Sequence, residues 1–239
     1  MIRFPYFWQW LVYLLIPAAG AGRRMGSDRN KLLLPLLGQP ILAWTLQAAA
    51  ASRVEWIGLV GQPVDWPDIR NLLEALALPK PVQWILGGST RQESVHNGLM
   101  ALPPEADRVL IHDGARCLAT PDLFDRCGAA LEQTPGLIAA VPVKDTIKVV
   151  DGAQRVTSTP DRAQLWAAQT PQGFWVNEIK DCHDRGREAG LEVTDDAALF
   201  EHFGLPVQIV PGEETNLKVT TPMDLTIAEF ILRQRSQPS

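Results

Sequence analysis

Leu11-Val12-Tyr13-Leu14-Leu15-Ile16 runs without a break into Pro17-Ala18-Ala19-Gly20-Ala21-Gly22-Arg23-Arg24-Met25-Gly26. An apolar run of strand length that does not alternate with polar residues reads as a strand buried on both faces. The small residues after it let a ligand approach the backbone closely, and successive N–H groups make a nest for phosphate oxygens. Two familiar phosphate loops do not fit. A dinucleotide fingerprint needs G-x-G-x-x-G and an acidic residue about 20 positions on. Here the spacing is Gly20-x-Gly22-x-x-x-Gly26, arginines sit inside it, and leucine, proline and glutamine stand where the acid belongs. A Walker loop ends in Gly-Lys-Ser/Thr, which is missing. What remains is a glycine-rich turn with Arg23, Arg24, Arg29 and Lys31 close together. A basic run alone is usually a solvated face. Set against a strand end and glycines, it reads as a polyphosphate cradle.

Outward from this loop, short apolar runs alternate with amphipathic stretches. Strands are expected at Leu11–Ile16, Val54–Val60, Val82–Leu86, Arg108–His112, Leu137–Val143 and Val207–Val210. Helices are expected at Pro40–Ala51, Ile69–Leu78, Arg91–Leu102, Pro121–Glu132, Asn177–Ala189, Asp195–His202 and Pro222–Arg233. Strands rich in Val, Ile and Leu and spaced by helices predict an α/β fold: a Rossmann-like, doubly wound, mostly parallel sheet. Such sheets bind ligands beyond the carboxyl ends of their strands. Those ends carry Pro17–Gly26, Gly87–Ser89 and Asp113–Arg116. Thr146–Val150 and Arg155–Thr159, joined at Asp151-Gly152, predict a polar hairpin that projects from the sheet. On the residues alone it is either a dimer contact or a free hairpin. Residues 11–235 read as a single domain, with 143–165 as the arm.

Composition narrows the function. The chain has 239 residues, 46% of them hydrophobic, enough for a packed core. Its formal charge of −5 argues against a nucleic-acid binder. Cys117, Cys127 and Cys182 form no CxxC pair, so neither a disulfide framework nor a zinc knuckle is indicated, and a cytoplasmic location is expected. Six aromatic residues crowd the first 13 positions. Phe4–Ile16 is nevertheless too short to span a membrane, contains Pro5 and Gln9, and follows no basic cluster. No membrane partner is expected, and residues 1–10 read as an extension ahead of the fold.

Eight motifs in chain order then carry a resemblance. Pro17-Ala18-Ala19-Gly20-x-Gly22-x-Arg24-Met25 with Lys31 and Leu34-Pro35-Leu36 is the first, followed by Gly87-Gly88-x-x-Arg91-x-x-Ser94-Val95 and His112-Asp113-Gly114-Ala115-Arg116. Lys144-Asp145-Thr146, Asp161-Arg162, Gln169-Thr170-Pro171-Gln172, Thr194-Asp195-Asp196 and Asn216-Leu217-Lys218-Val219-Thr220 continue the series. Together they resemble the 2-C-methyl-D-erythritol 4-phosphate cytidylyltransferase family, nucleotidyltransferases with a GT-A-like sheet. The resemblance implies transfer of CMP from CTP to a polyol phosphate with release of pyrophosphate, in non-mevalonate isoprenoid biosynthesis. A ribitol-phosphate cytidylyltransferase, sharing the nucleotide motifs, is the nearest alternative. A catalytically silent nucleotide sensor is disfavoured, because the charges are retained.

The resemblance also implies roles. Arg24 and Lys31 stabilise charge on the α-phosphate, while Arg162 and Lys218 position the polyol phosphate with the Thr146, Thr170 and Thr194 hydroxyls and Arg116. Pro17, Ala18, Ala19, Gly20, Gly22, Gly88, Ser89, Ser94, Asp113 and Ala115 bind the nucleotide. The Ala18 and Ala19 backbone, the Gly88 carbonyl and the Ser94 hydroxyl read the base. Asp113 is the candidate ligand for Mg²⁺ or another divalent cation, and Asp195 and Asp196 are weaker ones. Capping of the following helix is the competing reading for Thr194. The arm implies a homodimer in which Arg116 and Thr146 complete a neighbouring site. His112 reads as a structural residue and Cys117 as an inert thiol. Asn30, Ser89, Cys117 and Pro160 depart from the family's usual residues without removing a charge that the chemistry requires.

Overall fold

The computed structural model describes residues 11–18 and 30–236. The expected extension at 1–10 and the loop residues Ala19, Gly20, Gly22 and Arg24 lie outside the described residues. In chain order the strands are β1 (Val12–Pro17), β2 (Pro35–Leu36), β3 (Gln39–Pro40), β4 (Trp56–Gly61), β5 (Val82–Leu86), β6 (Arg108–Ile111), β7 (Gly136–Pro142), β8 (Val149–Val150), β9 (Val156–Ser158), β10 (Trp166–Trp175) and β11 (Gln208–Pro211). The helices are α1 (Ile41–Ala51), α2 (Trp66–Leu76), α3 (Arg91–Met100), α4 (Pro121–Ala130), α5 (Val176–Glu188), α6 (Ala197–His202) and α7 (Pro222–Arg235).

Seven strands form one sheet in the order β11-β7-β10-β6-β1-β4-β5. The opening apolar run lies at its centre, with β1 parallel to β4 on one side and to β6 on the other. Its side chains divide between two cores. Leu14 and Ile16 pack with Leu42, Leu46 and Phe124 beneath α1 and α4, while Tyr13 and Leu15 pack with Val95, Leu99 and Phe200 beneath α3 and α6. This two-sided burial is why the run shows no polar alternation. Element ends differ from expectation by a turn or less. For example, α2 begins at Trp66 rather than Ile69, with Pro67 in its first turn, where a missing N–H costs nothing.

The main correction is β10, a ten-residue strand in a segment where no strand is expected. It runs antiparallel between β6 and β7, while the other pairings of the seven-stranded sheet are parallel, so the sheet is mostly parallel as expected. Gln169-Thr170-Pro171-Gln172 concealed it, because proline and buried polar residues argue against a central strand. Both fit here for a local reason. The ladder to β7 shifts register between Ala168 and Gln172, so Pro171 sits in an irregularity. The buried amides are also satisfied: Gln169 donates to the Glu213 carbonyl, and the Gln172 Oε1 accepts from the N–H groups of Asp196 and Ala197.

The arm is a separate two-stranded sheet, β8 with β9. Asp151-Gly152 does not form the expected two-residue turn. Instead, Asp151 and Arg155 close a three-residue loop whose last member, Gln154, takes φ of 61°. The Asp151 carboxylate accepts from the N–H groups of Ala153 and Arg155. Ile147, Val149, Val150 and Val156 are all exposed on this hairpin.

Candidate active site

At the carboxyl ends of β1, β4, β5 and β6 lies a cleft of about 300 Å³. Of the residues singled out from sequence, Pro17, Lys31, Gly88, Ser89, Ser94, Asp113, Ala115 and Lys218 line it. Lys31 arrives through a single 3-10 turn, Lys31–Leu33, capped by Asn30. The Asn30 amide also donates to the Ala18 carbonyl at 2.6 Å, fixing the strand end beside the cleft. Lys31 Nζ donates to the Val219 carbonyl at 2.9 Å, next to Lys218.

Asp113 is the electrostatic centre. Its Oδ2 lies 2.6 Å from Lys218 Nζ, and its Oδ1 lies 3.6 Å from Arg91 Nε. Burial alone would raise its pKa, but the charges of Lys218 and then Arg91 outweigh it and hold the carboxyl at about 2. The group is therefore an anion at neutral pH. Arg91 in turn places its Nη2 2.8 Å from Asp196 Oδ2, and His183 Nε2 lies 3.2 Å from Asp196 Oδ1.

The loop that presents Asp113 is held from below. The Asp113 N–H donates to the Thr170 hydroxyl at 3.0 Å, and that hydroxyl lies 3.0 Å from His112 Nδ1. His112 Nε2 lies 3.2 Å from the Arg116 carbonyl. A neutral imidazole protonated on Nε2 completes the series: it donates to that carbonyl and accepts from Thr170. Burial pushes the His112 pKa down to about 4, which keeps it in that form. The Arg116 guanidinium donates to the carbonyls of Asn216 and Ala168, bracing the segment that carries Lys218 against β10. Asn216 is fully buried and donates to Gln169 Oε1 and the Thr170 carbonyl.

The second wall is the Gly87-Gly88 loop. A Cβ on Gly88 would fall within 2.2 Å of Glu93, so only glycine fits. The Gly88 N–H donates to the Ser94 hydroxyl at 3.0 Å, and that hydroxyl donates to the Thr90 carbonyl at 2.8 Å. The Gly88 carbonyl accepts from Gln62 Nε2 at 2.8 Å, and a carbonyl has a second lone pair to offer. Ser89 donates through its N–H and hydroxyl to the Glu93 carboxylate.

Other residues singled out from sequence stand apart. Thr170 is buried beneath the cleft, with its hydroxyl engaged as described. Thr146 and Arg162 lie exposed on the arm, where Arg162 Nη1 donates to the Lys144 carbonyl at 2.9 Å. Thr194 is exposed in the loop before α6. The capping expected of it falls to Asp195, whose Oδ1 accepts from the Ala198 N–H, and to Gln172. Asp196 is fully buried against Arg91 and His183, which places its carboxylate behind the cleft rather than in it. Gln62 and Arg91 line the cleft although sequence reasoning gave neither a role. Arg91 stood inside a quoted motif, whereas a lone glutamine after a strand carries no signal of its own.

A divalent cation fits this chemistry. The described residues contain no cluster of three or more acidic, histidine or cysteine ligands. Mg²⁺ held among triphosphate oxygens needs only one or two protein carboxylates, and the ionised Asp113 supplies one. The thiols supply no nucleophile, since burial pushes Cys117 and Cys127 up to about 12 and Cys182 to about 11.

Residues 12–234 match the model of the family described as 2-C-methyl-D-erythritol 4-phosphate cytidylyltransferase. The chain is 66% identical over 229 residues to the enzyme of that name from Synechocystis sp., covering 95% of this chain and 100% of the relative. It is 67% identical over 225 residues to that from Nostoc sp., covering 94% and 99%. Among solved structures, the 4-diphosphocytidyl-2C-methyl-D-erythritol synthase of Anaerococcus prevotii superposes with a TM-score of 0.85 at 32% identity, over 94% of this chain and 99% of that one. The cytidylyltransferase of Thermus thermophilus follows at 0.75 and 31%, over 93% and 99%. The chain belongs to the 2-C-methyl-D-erythritol 4-phosphate cytidylyltransferase family of nucleotidyltransferases.

Proposed function

We propose that this cleft transfers the cytidylyl group of CTP to 2-C-methyl-D-erythritol 4-phosphate, a step of isoprenoid biosynthesis. A phosphate oxygen of the acceptor forms a bond to the α-phosphorus while the bond from that phosphorus to the β-phosphate oxygen breaks, and pyrophosphate leaves. The nucleophile is already an anion, so no side chain has to remove a proton. The observation that carries the reading is an ionised carboxylate, Asp113, paired with Lys218 and Arg91 in a cleft that Lys31 also lines, at the strand ends of a family member.

Catalysis here is positioning and charge stabilisation. Lys31 and Arg24 stabilise the charge that builds on the α-phosphate. Lys218 and Arg162 hold the acceptor phosphate, with Thr146 and Thr194 as hydroxyl donors. Thr170 and Arg116 act from beneath, Thr170 through the Asp113 N–H and Arg116 through the Lys218 segment. The free lone pair of the Gly88 carbonyl accepts from the cytosine amino group and repels a uracil carbonyl. The Pro17–Gly22 backbone, Ser89, Ser94 and Ala115 complete the nucleotide pocket. Mg²⁺ or a similar cation held by Asp113 neutralises triphosphate charge when bound. The exposed apolar arm fits a homodimer contact, and the free buried thiols fit a reducing cytoplasm. No helix of the described residues is long and apolar enough to cross a membrane.

The test is pyrophosphate release from CTP and Mg²⁺ with either polyol phosphate as acceptor. Release with methylerythritol phosphate and little with ribitol phosphate is expected. Release only with ribitol phosphate would move the enzyme to the sister activity, and release with neither would refute the reading.

A further inference from the structure

Asp196 carries a carboxylate that its own helix does not use. It stands at the N-cap of α6, yet its side chain makes no cap hydrogen bond. That task is taken by Asp195, which accepts from the Ala198 N–H, and by Gln172, which accepts from the N–H groups of Asp196 and Ala197. The Asp196 side chain is nonetheless fully buried, and burying a charge costs several kcal/mol unless it is well paired. Its neighbours are Arg91 Nη2 at 2.8 Å and His183 Nε2 at 3.2 Å. The Arg91 contact is an ion pair and the His183 contact a close polar one, and neither Asp196 oxygen meets strict hydrogen-bond geometry with them. An arrangement so costly and imperfectly bonded is a weak device for stability.

The other end of the contact explains it better. Arg91 is the first residue of α3 and reaches both Asp196 and Asp113. Asp113 in turn meets Lys218. The result is a continuous series of polar contacts, His183–Asp196–Arg91–Asp113–Lys218, that runs from a side chain 1% exposed to one 42% exposed at the cleft. Without Asp196, the guanidinium would have a single carboxylate left to satisfy it. It would move onto Asp113 and compete with Lys218 for the same oxygens.

We propose that Asp196 is a positioning residue for cytidylyl transfer: by holding the Arg91 guanidinium at 2.8 Å, it limits Arg91 to a looser 3.6 Å contact with Asp113 and leaves that carboxylate oriented toward Lys218. The proposal rests on Lys218 and Asp113 belonging to the reaction site. Asp196→Asn keeps the shape and removes the charge. Misplacing a reacting constellation slightly by a change behind it costs up to ~10² in rate, so kcat is expected to fall roughly 10- to 100-fold. The discriminating measurement is a double-mutant cycle with Asp113→Asn. If Asp196 acts through Asp113, adding Asp196→Asn to Asp113→Asn changes kcat less than about threefold. Multiplicative losses, or a single variant with wild-type kcat, would overturn the proposal. A readout independent of turnover is acetylation of the Lys218 amine by acetic anhydride, followed by mass spectrometry. Its rate is expected to rise in Asp196→Asn, and an unchanged rate counts against the proposal. Should Asp196→Asn fail to fold, Arg91→Lys enters the same cycle, because one ammonium cannot bridge both carboxylates as the planar guanidinium does. Lys218→Ala, assayed in parallel, separates the two ideas. Full activity there refutes the role of Lys218, whereas the coupling of Asp196 to Asp113 is read from the cycle alone.

Discussion

The cleft and the arm are built in opposite ways. Each polar side chain on the cleft wall has a partner in the same chain: Asp113 has Lys218 and Arg91, the Gly88 loop has Gln62 and Ser94, and the Asp113 loop has Thr170 and His112. The arm is exposed over most of its length and holds itself together with local bonds such as Lys148 Nζ to the Thr159 hydroxyl. Its apolar residues face outward. A wall that is braced internally is preorganised before substrate arrives, which is what charge stabilisation needs. The proposed homodimer would set this outward-facing apolar hairpin against a second copy of the chain.

Lys31→Ala would test the cleft side most severely. The loss of one preorganised donor is worth roughly 3–4 kcal/mol, so kcat is expected to drop about 10²- to 10³-fold. CTP affinity should change far less, and an unchanged steady-state kcat would break the assignment. Arg162→Ala tests the arm. Removing the charged phosphate contact proposed for it is expected to cost about 10² in kcat/KM for the polyol phosphate. The thermal midpoint should stay put, because among the described residues this exposed side chain makes one hydrogen bond, to the Lys144 carbonyl.

His112 sharpens the contrast through pH. Folding holds it neutral down to about 4, against 6.5 for the free side chain. The unfolded chain therefore takes up the proton first, and stability is lost as pH falls from about 6.5 to about 4, by about 3 kcal/mol. In His112→Asn the unfolding free energy should fall less across that window, whereas a parallel profile would show that the buried ring does not brace the loop. Gln62→Ala is a smaller test. Freeing the Gly88 carbonyl from a hydrogen bond worth ~1 kcal/mol should reduce the preference for CTP over UTP several-fold, measured as a ratio of turnovers. Removal of residues 2–10 should change activity within about twofold, and a dead enzyme would make that segment part of the fold.

Much of this was legible in the sequence, for physical reasons that also mark the limits. Leu11–Ile16 announced a central strand because burial on both faces leaves no room for polar alternation. Pro17, Gly88 and Asp113 could be gathered in one place because parallel strands deliver their carboxyl ends to one edge, whereas Lys218 joined them only through the resemblance. The strand at Trp166–Trp175 stayed hidden, since Pro171 and the glutamines beside it fit only where the ladder shifts and Glu213 and Asp196 supply partners from distant segments. Gln62 was invisible for a similar reason: its meaning lies in the Gly88 carbonyl. Thr170 carried a motif signal, but only the fold reveals that its hydroxyl serves His112 and Asp113.

The contrast between a self-braced cleft and an outward arm is tested most directly by mixing two disabled proteins, Lys31→Ala and Arg162→Ala, after dissociation and reassembly. If the arm of one protomer completes the cleft of its partner, each mixed dimer regains one intact site, and activity should return to about a quarter of the wild-type value. If each arm serves its own cleft, or the chain works alone, both sites of a mixed pair stay defective. Activity no higher than that of the two variants assayed separately would contradict the account.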